Sequence, residues 1–236
     1  GRAVQWARDA MTDTVEDLVA LMDVEQLELD LFRGTGSGGE TSVRIFGGPV
    51  VAQALSAAYR TVKNRLCHSL HAYFIRPGDP SIPVVYSVDR ARDGGSFTTR
   101  RVIALQHGKQ ILNLSASFQI TEAGWQHHHP MPQVTGPEGL DERRTLRQQN
   151  VDRIPEQYRK DYVRPRPIEI SELAPIDHFN PQPAPDLNHL WFRMHHAAGQ
   201  SPQMQHCLLA YASDMNLLGS SPVSYTHLRA HETKCY

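Results

Sequence analysis

Residues 47–62 read GGPVVAQALSAAYRTV. The paired glycines interrupt the extended segment before them, and Pro49 suits the first turn of a helix, where its missing N–H costs nothing. Apolar side chains then recur at helical spacing for about four turns. The main stripe consists of Val51, Leu55, Ala58 and Val62, and it is widened by Val50, Ala54 and Ala57. Such a wide apolar face predicts a helix that is largely surrounded by protein.

The spacing of apolar residues changes to two on the C-terminal side of this helix. The clearest case is Leu112–Ile120, where apolar and polar residues alternate throughout. The same alternation predicts three earlier strands, at Leu70–Ile75, Val84–Val88 and Phe97–Leu105. Glycine-containing turns between these segments are typical of antiparallel hairpins.

Two more strands are predicted on the N-terminal side. Leu27, Leu29 and Leu31 alternate with polar residues and indicate one half-buried strand, and Ser42–Phe46 indicates another. The order of elements is then strand, strand, long helix and four antiparallel strands. This order favours an α+β fold in which a curved antiparallel sheet packs on one helix. A parallel sheet is disfavoured because helices do not alternate with strands.

Composition divides the rest of the chain into further segments. A capping box of Thr14 and Asp17 predicts a short helix at Thr14–Met22. The domain organisation that we predict has five parts: an N-terminal segment at 1–23, a first domain at 24–121, a linker at 122–166 with a polar helix within 141–158, a partial second domain at 167–222, and an unpatterned tail at 223–236. The partial domain is predicted to have strands near Ile168–Ile170 and Leu190–Met194 and a helix that carries Met204, Leu208 and Tyr211.

Charge and composition exclude several classes of function. The 236 residues include 24 Lys and Arg against 25 Asp and Glu, so the formal net charge is -1. We therefore expect no nucleic-acid partner and no polybasic membrane attachment. The sequence has no apolar run of about eighteen residues, so membrane insertion is not expected. Three scattered cysteines, Cys67, Cys207 and Cys235, favour a reducing compartment over a disulfide framework.

Several residue patterns suggest chemistry but have simpler explanations. Gly34, Gly36 and Gly39 match a dinucleotide-type glycine pattern, yet a strand is predicted to follow where that motif needs a helix. A metal could contact His127–His129, but adjacent histidines point in different directions, so a solvated loop is favoured. His195–His196 is treated as structural for the same reason. We expect no metal and no cofactor.

Nucleophilic catalysis is not favoured either. The sequence has no G-x-S-x-G motif, which excludes the serine nucleophile of α/β hydrolases. Cys67 could act beside His68 or His71, but its place at a strand entrance favours a small buried residue.

Asp214 is the strongest candidate for a functional residue. It lies near the end of the apolar stretch Leu208–Leu218. An acidic group on a buried helix must be hydrogen-bonded, ion-paired or functional. Solvation at the end of the helix is the alternative explanation.

Several ordered segments between about Asp13 and Ser221 resemble one family. They are LFRG at 31–34, FGG at 46–48, AQAL at 52–55, HSLHAYF at 68–74, RPGDP at 76–80, RDGGSFTTR at 92–100, SASFQ at 115–119 and YASD at 211–214. Together they resemble the acyl-CoA thioesterase II family. The resemblance implies a double hotdog fold, in which each of two sheets wraps one long helix.

The resemblance also implies an activity and a site. Members of the family hydrolyse fatty acyl-CoA to free acid and CoA without a metal or a covalent intermediate. An aspartate, a Ser or Thr, and a glutamine hold and polarise the attacking water, and Asp214 matches the aspartate. Donors to the developing oxyanion could come from a helix N-terminus or from other backbone amides. A fatty acyl-CoA substrate, a homo-oligomer and a cytoplasmic location are expected, with the peroxisomal matrix as the alternative location.

Two departures from the family pattern qualify these expectations. Pro49 stands where the family usually has glutamine. The family's Ser or Thr and its Gln lie in strands expected after Ser221, whereas residues 223–236 resemble translated sequencing-adaptor DNA. We therefore expect a foreign tail at 223–236, a second hotdog that stops after its helix, and a chain that is inactive or nearly so.

Two other functions remain open at this stage. One is a non-catalytic hotdog protein that binds acyl-CoA. The other is a different hotdog enzyme such as an enoyl-CoA hydratase, which needs an Asp/His pair on or near its helix. Gln53–Asn64 contains neither residue.

Overall fold

The computed structural model describes residues 14–36, 45–175, 177, 179–180 and 187–216. Its contacts divide the chain into two units: the first extends to Gln126 and includes His195–Asp214, and the second comprises the remainder. The elements in chain order are α1 (Val15–Met22), β1 (Glu25–Glu28), β2 (Leu31–Gly34), α2 (Gly47–Tyr59), β3 (Leu66–Phe74), β4 (Val84–Asp93), β5 (Phe97–Gln106), β6 (Lys109–Gln119), α3 (Arg143–Gln149), α4 (Glu156–Val163), β7 (Glu169–Glu172), β8 (Leu190–Arg193) and α5 (Pro202–Ser213).

The first unit contains a six-stranded antiparallel sheet with the order β1-β2-β4-β5-β6-β3. Its register places Val102 of β5 opposite Leu114 of β6, and Leu114 opposite Ala72 of β3. Helix α2 packs on β4, β5 and β6. The predicted α+β architecture of a sheet around one long helix is therefore confirmed.

The core lies between α2 and the inward face of the sheet. Ten of the residues in α2 are buried, as its wide apolar face predicts. One polar side chain inside this core, Gln53, has its hydrogen bonds satisfied by three elements. Its Nε2 donates to the carbonyls of Leu21 and Thr35 at 2.7 and 3.1 Å, and its Oε1 accepts from the Tyr86 hydroxyl at 2.7 Å. A side chain at Gly34 would place Cβ 2.2 Å from that Oε1, so the glycine makes room for the network.

A buried arginine joins the end of α2 to the β4–β5 hairpin. Arg100 is 1% exposed, and its guanidinium donates to the hydroxyl and the carbonyl of Thr61 at 2.7 and 3.1 Å. It also donates to the carbonyls of Arg92 and Thr99 and to the Asp93 carboxylate. That last bond, at 2.6 Å, lowers the pKa of Asp93.

The single strand predicted over Leu27–Leu31 is wrong. The segment forms the hairpin β1–β2, with its turn at Leu29–Asp30. Asp30 adopts a left-handed conformation with φ of 59°, which Asp tolerates better than most residues. Leu27 and Leu29 are 42% and 69% exposed. Alternation of apolar and polar residues continues through this turn, so the pattern could not reveal it.

The strand predicted at Ser42–Phe46 lies mostly outside the described residues. Ile45 and Phe46 belong to no strand, although the Ile45 N–H donates to the Gly78 carbonyl at 2.9 Å. The four strands predicted after α2 are present, as β3 to β6.

The second unit contains α3, α4 and the antiparallel pair β7–β8. The one polar helix predicted within 141–158 is instead two helices, because Asn150 ends α3 and Pro155 precedes α4. Arg143 pairs with Glu172, which ties α3 to β7, and Arg193 pairs with Glu169 across the two strands at 2.6 Å. The assignment of 167–222 to a partial second hotdog stays a prediction.

A helix that crosses a bilayer needs about 20 predominantly apolar residues. None of the helices in the described ranges is both long and apolar enough to cross a membrane.

Candidate active site

Helices α2 and α5 pack against each other in the first unit. Ser201 caps α5, since its hydroxyl accepts the Met204 N–H at 3.3 Å, and Pro202 occupies the first turn. The buried face of α5 carries Cys207, Leu208, Ala210 and Tyr211. The end of α5 lies against the start of α2, and the start of α5 lies against the end of α2, so the helices are antiparallel.

Glycine at position 48 allows the two helices to approach closely. A Cβ at Gly48 would lie 2.7 Å from the carbonyl oxygen of Tyr211. The Tyr211 ring meets the ring of Phe46 edge-on, with centroids 5.7 Å apart. The glycine pair that sequence analysis treated only as a break in a strand therefore also sets the helix-to-helix distance.

Asp214 caps the C-terminus of α5 and begins a 3-10 turn, Asp214–Asn216. Its carboxylate accepts hydrogen bonds from the backbone N–H groups of Gly47 and Gly48. These two amides are in the first turn of α2, where no intrahelical carbonyl is available to accept from them. A carboxylate at a helix N-terminus also interacts favourably with the helix dipole.

Two opposing effects act on the acidity of Asp214. Partial burial raises the pKa of the carboxyl above its ordinary 3.8, because the ionised form loses hydration. The hydrogen bonds from Gly48 and Gly47 favour the ionised form and oppose that rise. Burial prevails, so the carboxylate is a stronger base than a free aspartate and is held in place by two fixed donors.

Phe74, at the end of β3, forms an apolar wall beside the carboxylate. Its inward direction follows from the register, since its partner on β6 is the buried Leu112. A Cβ at Gly47 would lie 2.4 Å from the Phe74 ring and 2.7 Å from Asp214 Oδ2. Three elements, α2, α5 and β3, thus meet at the carboxylate.

The other sequence candidates do not join this site. The amide of Cys67 donates to the Tyr59 hydroxyl at 2.8 Å, and its thiol lies 3.4 Å from the Ser69 carbonyl. Burial raises the pKa of the thiol, which disfavours a nucleophilic thiolate. His68 instead contacts the Ser117 hydroxyl at 2.9 Å, so the structure supplies no Cys–His pair there.

The remaining candidates are the histidine and glycine patterns, and they do not form a metal site of three or more ligands among the described residues. In the described part of the chain, no group of three or more His, Cys, Asp or Glu side chains is placed to hold a metal. The rings of His195 and His196 are 6.4 Å apart, and His196 has a positive φ of 62°. Of the three glycines singled out above, Gly39 lies outside the described residues.

A second polar contact between the helices was missed by sequence analysis. At the opposite end of the α2–α5 pair, the Tyr59 hydroxyl lies 2.8 Å from His206 Nδ1. The same hydroxyl accepts the N–H of Cys67 at 2.8 Å, so Tyr59 joins the start of β3 to both helices. The two residues are 147 positions apart, and no local pattern in the sequence connects them.

Comparison with known proteins identifies the class and then the family. The chain is similar, at 19% identity and a TM-score of 0.61, to the structure of a conserved protein of unknown function with hot dog fold from Alicyclobacillus acidocaldarius; the match covers 88% of this chain and 69% of that one. The sheet that wraps α2 is therefore a hotdog fold.

Closer relatives are thioesterases. Residues 37–119 match the family model of the acyl-CoA thioesterase N-terminal domain. The chain is 34% identical to acyl-CoA thioesterase 2 of Haemophilus influenzae over 224 residues, which cover 94% of this chain and 76% of that protein. It is 36% identical to the solved acyl-CoA thioesterase II TesB2 from Mycobacterium marinum, with a TM-score of 0.66 and coverage of 87% and 71%. The chain belongs to the acyl-CoA thioesterase family.

Proposed function

We propose that this protein hydrolyses fatty acyl-CoA thioesters to free fatty acids and CoA, with Asp214 as the group that holds and polarises the attacking water. The observation that carries the proposal is the Asp214 carboxylate, fixed by the Gly47 and Gly48 amides beside the apolar Phe74 ring. Membership of the thioesterase family supports the reaction.

The chemistry needs a base for water more than it needs a nucleophilic side chain. A thioester carbonyl is electrophilic and a thiolate is a fair leaving group. Water held by Asp214 attacks the carbonyl carbon as the carboxylate takes its proton. The carbon–sulfur bond of the tetrahedral intermediate then breaks, and the thiolate of CoA takes up a proton. A raised pKa makes Asp214 better suited to accept the proton.

The start of α2 is one possible source of donors to the oxyanion. Its Gly47 and Gly48 amides interact with Asp214, however, and Pro49 has no N–H. We therefore infer that the oxyanion is stabilised by groups other than the start of α2. The Ser or Thr and the Gln that the family resemblance implies are candidates for part of that role.

A chimera provides the test of this function. Residues 1–222 would be followed by the part of the Haemophilus influenzae thioesterase that lies beyond the matched region, which the family resemblance implies carries the Ser or Thr and the Gln. We expect the chimera to release CoA from palmitoyl-CoA. In the chimera, Asp214→Asn should lower kcat by about a hundredfold or more, since general-base catalysis contributes 10²–10⁴.

The matched control is Asp89→Asn, which changes an exposed aspartate on β4. It should leave CoA release unchanged. The acid limb of the pH profile of kcat/KM should give an apparent pKa above 3.8, the ordinary value for an aspartate, because the pKa of Asp214 is raised. Equal turnover by Asp214→Asn and the unsubstituted chimera would overturn the assignment of Asp214.

Acyl-CoA binding without turnover is the second candidate function. It is favoured because, among the described residues, the family resemblance matches only Asp214 to one of the three positions that hold the attacking water. Calorimetry with a non-hydrolysable acyl-CoA thioether separates binding from catalysis. An enoyl-CoA hydratase is disfavoured because α2 carries neither Asp nor His, and product analysis with crotonyl-CoA checks this.

Self-association is proposed through the edge strand β3. This strand ends the sheet and has no partner among the described strands on its outer side. Tyr73, Phe74 and the following Ile75 are 63%, 51% and 41% exposed. Unpaired backbone groups together with exposed aromatic rings favour pairing with another chain. Light scattering should give a dimer or a larger species, and a monomer would count against the proposal.

The cytoplasm is the proposed location, with the peroxisomal matrix as the alternative. Cys67 and Cys207 are both free thiols, as a reducing compartment favours. Fluorescence microscopy of the tagged protein in its source cell distinguishes the two compartments.

A further inference from the structure

His127 and His129 are neighbours in space although His128 separates them in sequence. Their ring centroids are 5.5 Å apart and their ring planes are inclined by 70°. The residue between them therefore does not separate the two rings. The sequence pattern drew attention to adjacent histidines, whereas the ring contact in the structure joins the alternate pair His127 and His129.

All three histidines are exposed to solvent. None of their ring nitrogens makes a hydrogen bond with any described residue. Pro130 restricts His129 to extended backbone conformations, because the proline ring disfavours helical φ and ψ in the preceding residue. The two imidazoles thus stay available to a ligand, and ordering them for binding costs less entropy than in a free chain.

The separation of the rings suits two imidazoles bound to one metal ion. With a zinc–nitrogen distance of about 2.0–2.1 Å, the ion lies about 3.2 Å from each ring centroid. Two such rings at angles between tetrahedral and 120° have centroids about 5.1–5.5 Å apart. The observed 5.5 Å lies at the upper end of that range.

We propose that His127 and His129 form a two-imidazole surface site for a divalent transition-metal ion, Zn²⁺ or Cu²⁺. Imidazole is a preferred ligand of both ions. No third His, Cys, Asp or Glu completes a cluster within the described ranges, so water or small solutes fill the other coordination positions. The site is independent of the proposed hydrolysis, in which Asp214 needs no metal.

The test is calorimetric titration of the full, untagged chain with Zn²⁺ at pH 7.5. We expect His127→Ala and His129→Ala each to weaken Zn²⁺ binding at least tenfold. The matched control is His128→Ala, which removes an exposed histidine from the same run but from the other side of it. It should change the affinity less than threefold. Circular dichroism checks that all variants keep the fold.

A second control tests whether other histidines of the chain account for the binding. A double variant, His195→Ala with His196→Ala, should bind Zn²⁺ as the unsubstituted chain does. Equal losses in all three single variants would show an unordered histidine run and overturn the proposal, as would the absence of binding.

Discussion

The two ends of the α2–α5 helix pair differ in the kind of polar contact that joins them. At one end, the Asp214 carboxylate accepts from the Gly47 and Gly48 amides. At the other end, the Tyr59 hydroxyl and His206 Nδ1 share one hydrogen bond of 2.8 Å. Both contacts link the same helices, yet only the first places a half-buried charge beside an apolar wall. The comparison separates a contact suited to chemistry from one suited to stability.

Substitution of Gly48 by alanine should have the largest effect at the Asp214 end of the helix pair. The new Cβ would lie 2.7 Å from the backbone carbonyl oxygen of Tyr211, so α2 and α5 must move apart. We expect the free energy of unfolding to fall by about 2–3 kcal/mol, a typical cost of overpacking. Urea unfolding measures it. Gly95→Ala is the control, because nothing lies within 4 Å of its Cβ, and a similar loss there would contradict the explanation.

Tyr59→Phe should remove the polar contact at the opposite end of the helix pair, with a smaller loss of stability. The ring would keep its edge-on contact with Phe118, at 5.0 Å between centroids, but His206 and the Cys67 amide would lose their hydrogen-bond partner. Leaving such groups unpaired costs about 1–2 kcal/mol. Thermal unfolding should show the loss, whereas Tyr73→Phe, at an exposed ring, should change stability by less than about 0.5 kcal/mol. Equal effects of the two variants would argue against the Tyr59–His206 contact.

The smallest expected effect is a pH dependence of stability that comes from the Asp214 end of the helix pair. Because burial raises the pKa of Asp214 in the folded state, the folded chain binds a proton more tightly than the unfolded chain. This contribution to stability is complete below the unfolded pKa and is lost as pH rises through the folded pKa. Asp214→Asn removes the carboxyl group and therefore this fall in stability with rising pH. The free energy of unfolding of the variant, relative to that of the unsubstituted chain, should increase between pH 3 and pH 7.

Urea midpoints measured across that pH range provide the test. Tyr59→Phe is the control, since the Tyr59 contact with His206 lies at the other end of the helix pair. The difference in free energy of unfolding between Tyr59→Phe and the unsubstituted chain should not show the rise expected for Asp214→Asn. A constant difference for Asp214→Asn would show that burial of its carboxylate does not affect folding.

Local patterns account for the parts of the fold that the sequence predicts well. Helix α2 and strands β4 to β6 bury apolar residues at regular spacing, so their pattern is visible along the chain. The edge strand β3 has no fully buried residue but keeps the alternation of apolar and polar residues. The hairpin turn at Asp30 was missed because it depends on one backbone conformation that does not disturb the alternation.

The candidate site depends on contacts between distant segments. Asp214 was identified as an acidic residue on an apolar helix and through the family resemblance. The Gly47 and Gly48 donors were not, since their amides become hydrogen-bond partners only when α5 is brought to the start of α2. The Tyr59–His206 pair has the same origin. These contacts form between residues that are distant in the sequence, so local propensities cannot predict them.

The buried Arg100 has a consequence for the order in which the first unit can open. Its guanidinium donates hydrogen bonds to Thr61, just beyond α2, and to Arg92 and Asp93 in the β4–β5 hairpin. Local opening of either partner would leave a desolvated cation without acceptors, which is costly. Helix end and hairpin should therefore exchange their amide hydrogens as one cooperative unit, with common protection rates, even though they lie in separate elements of the sequence.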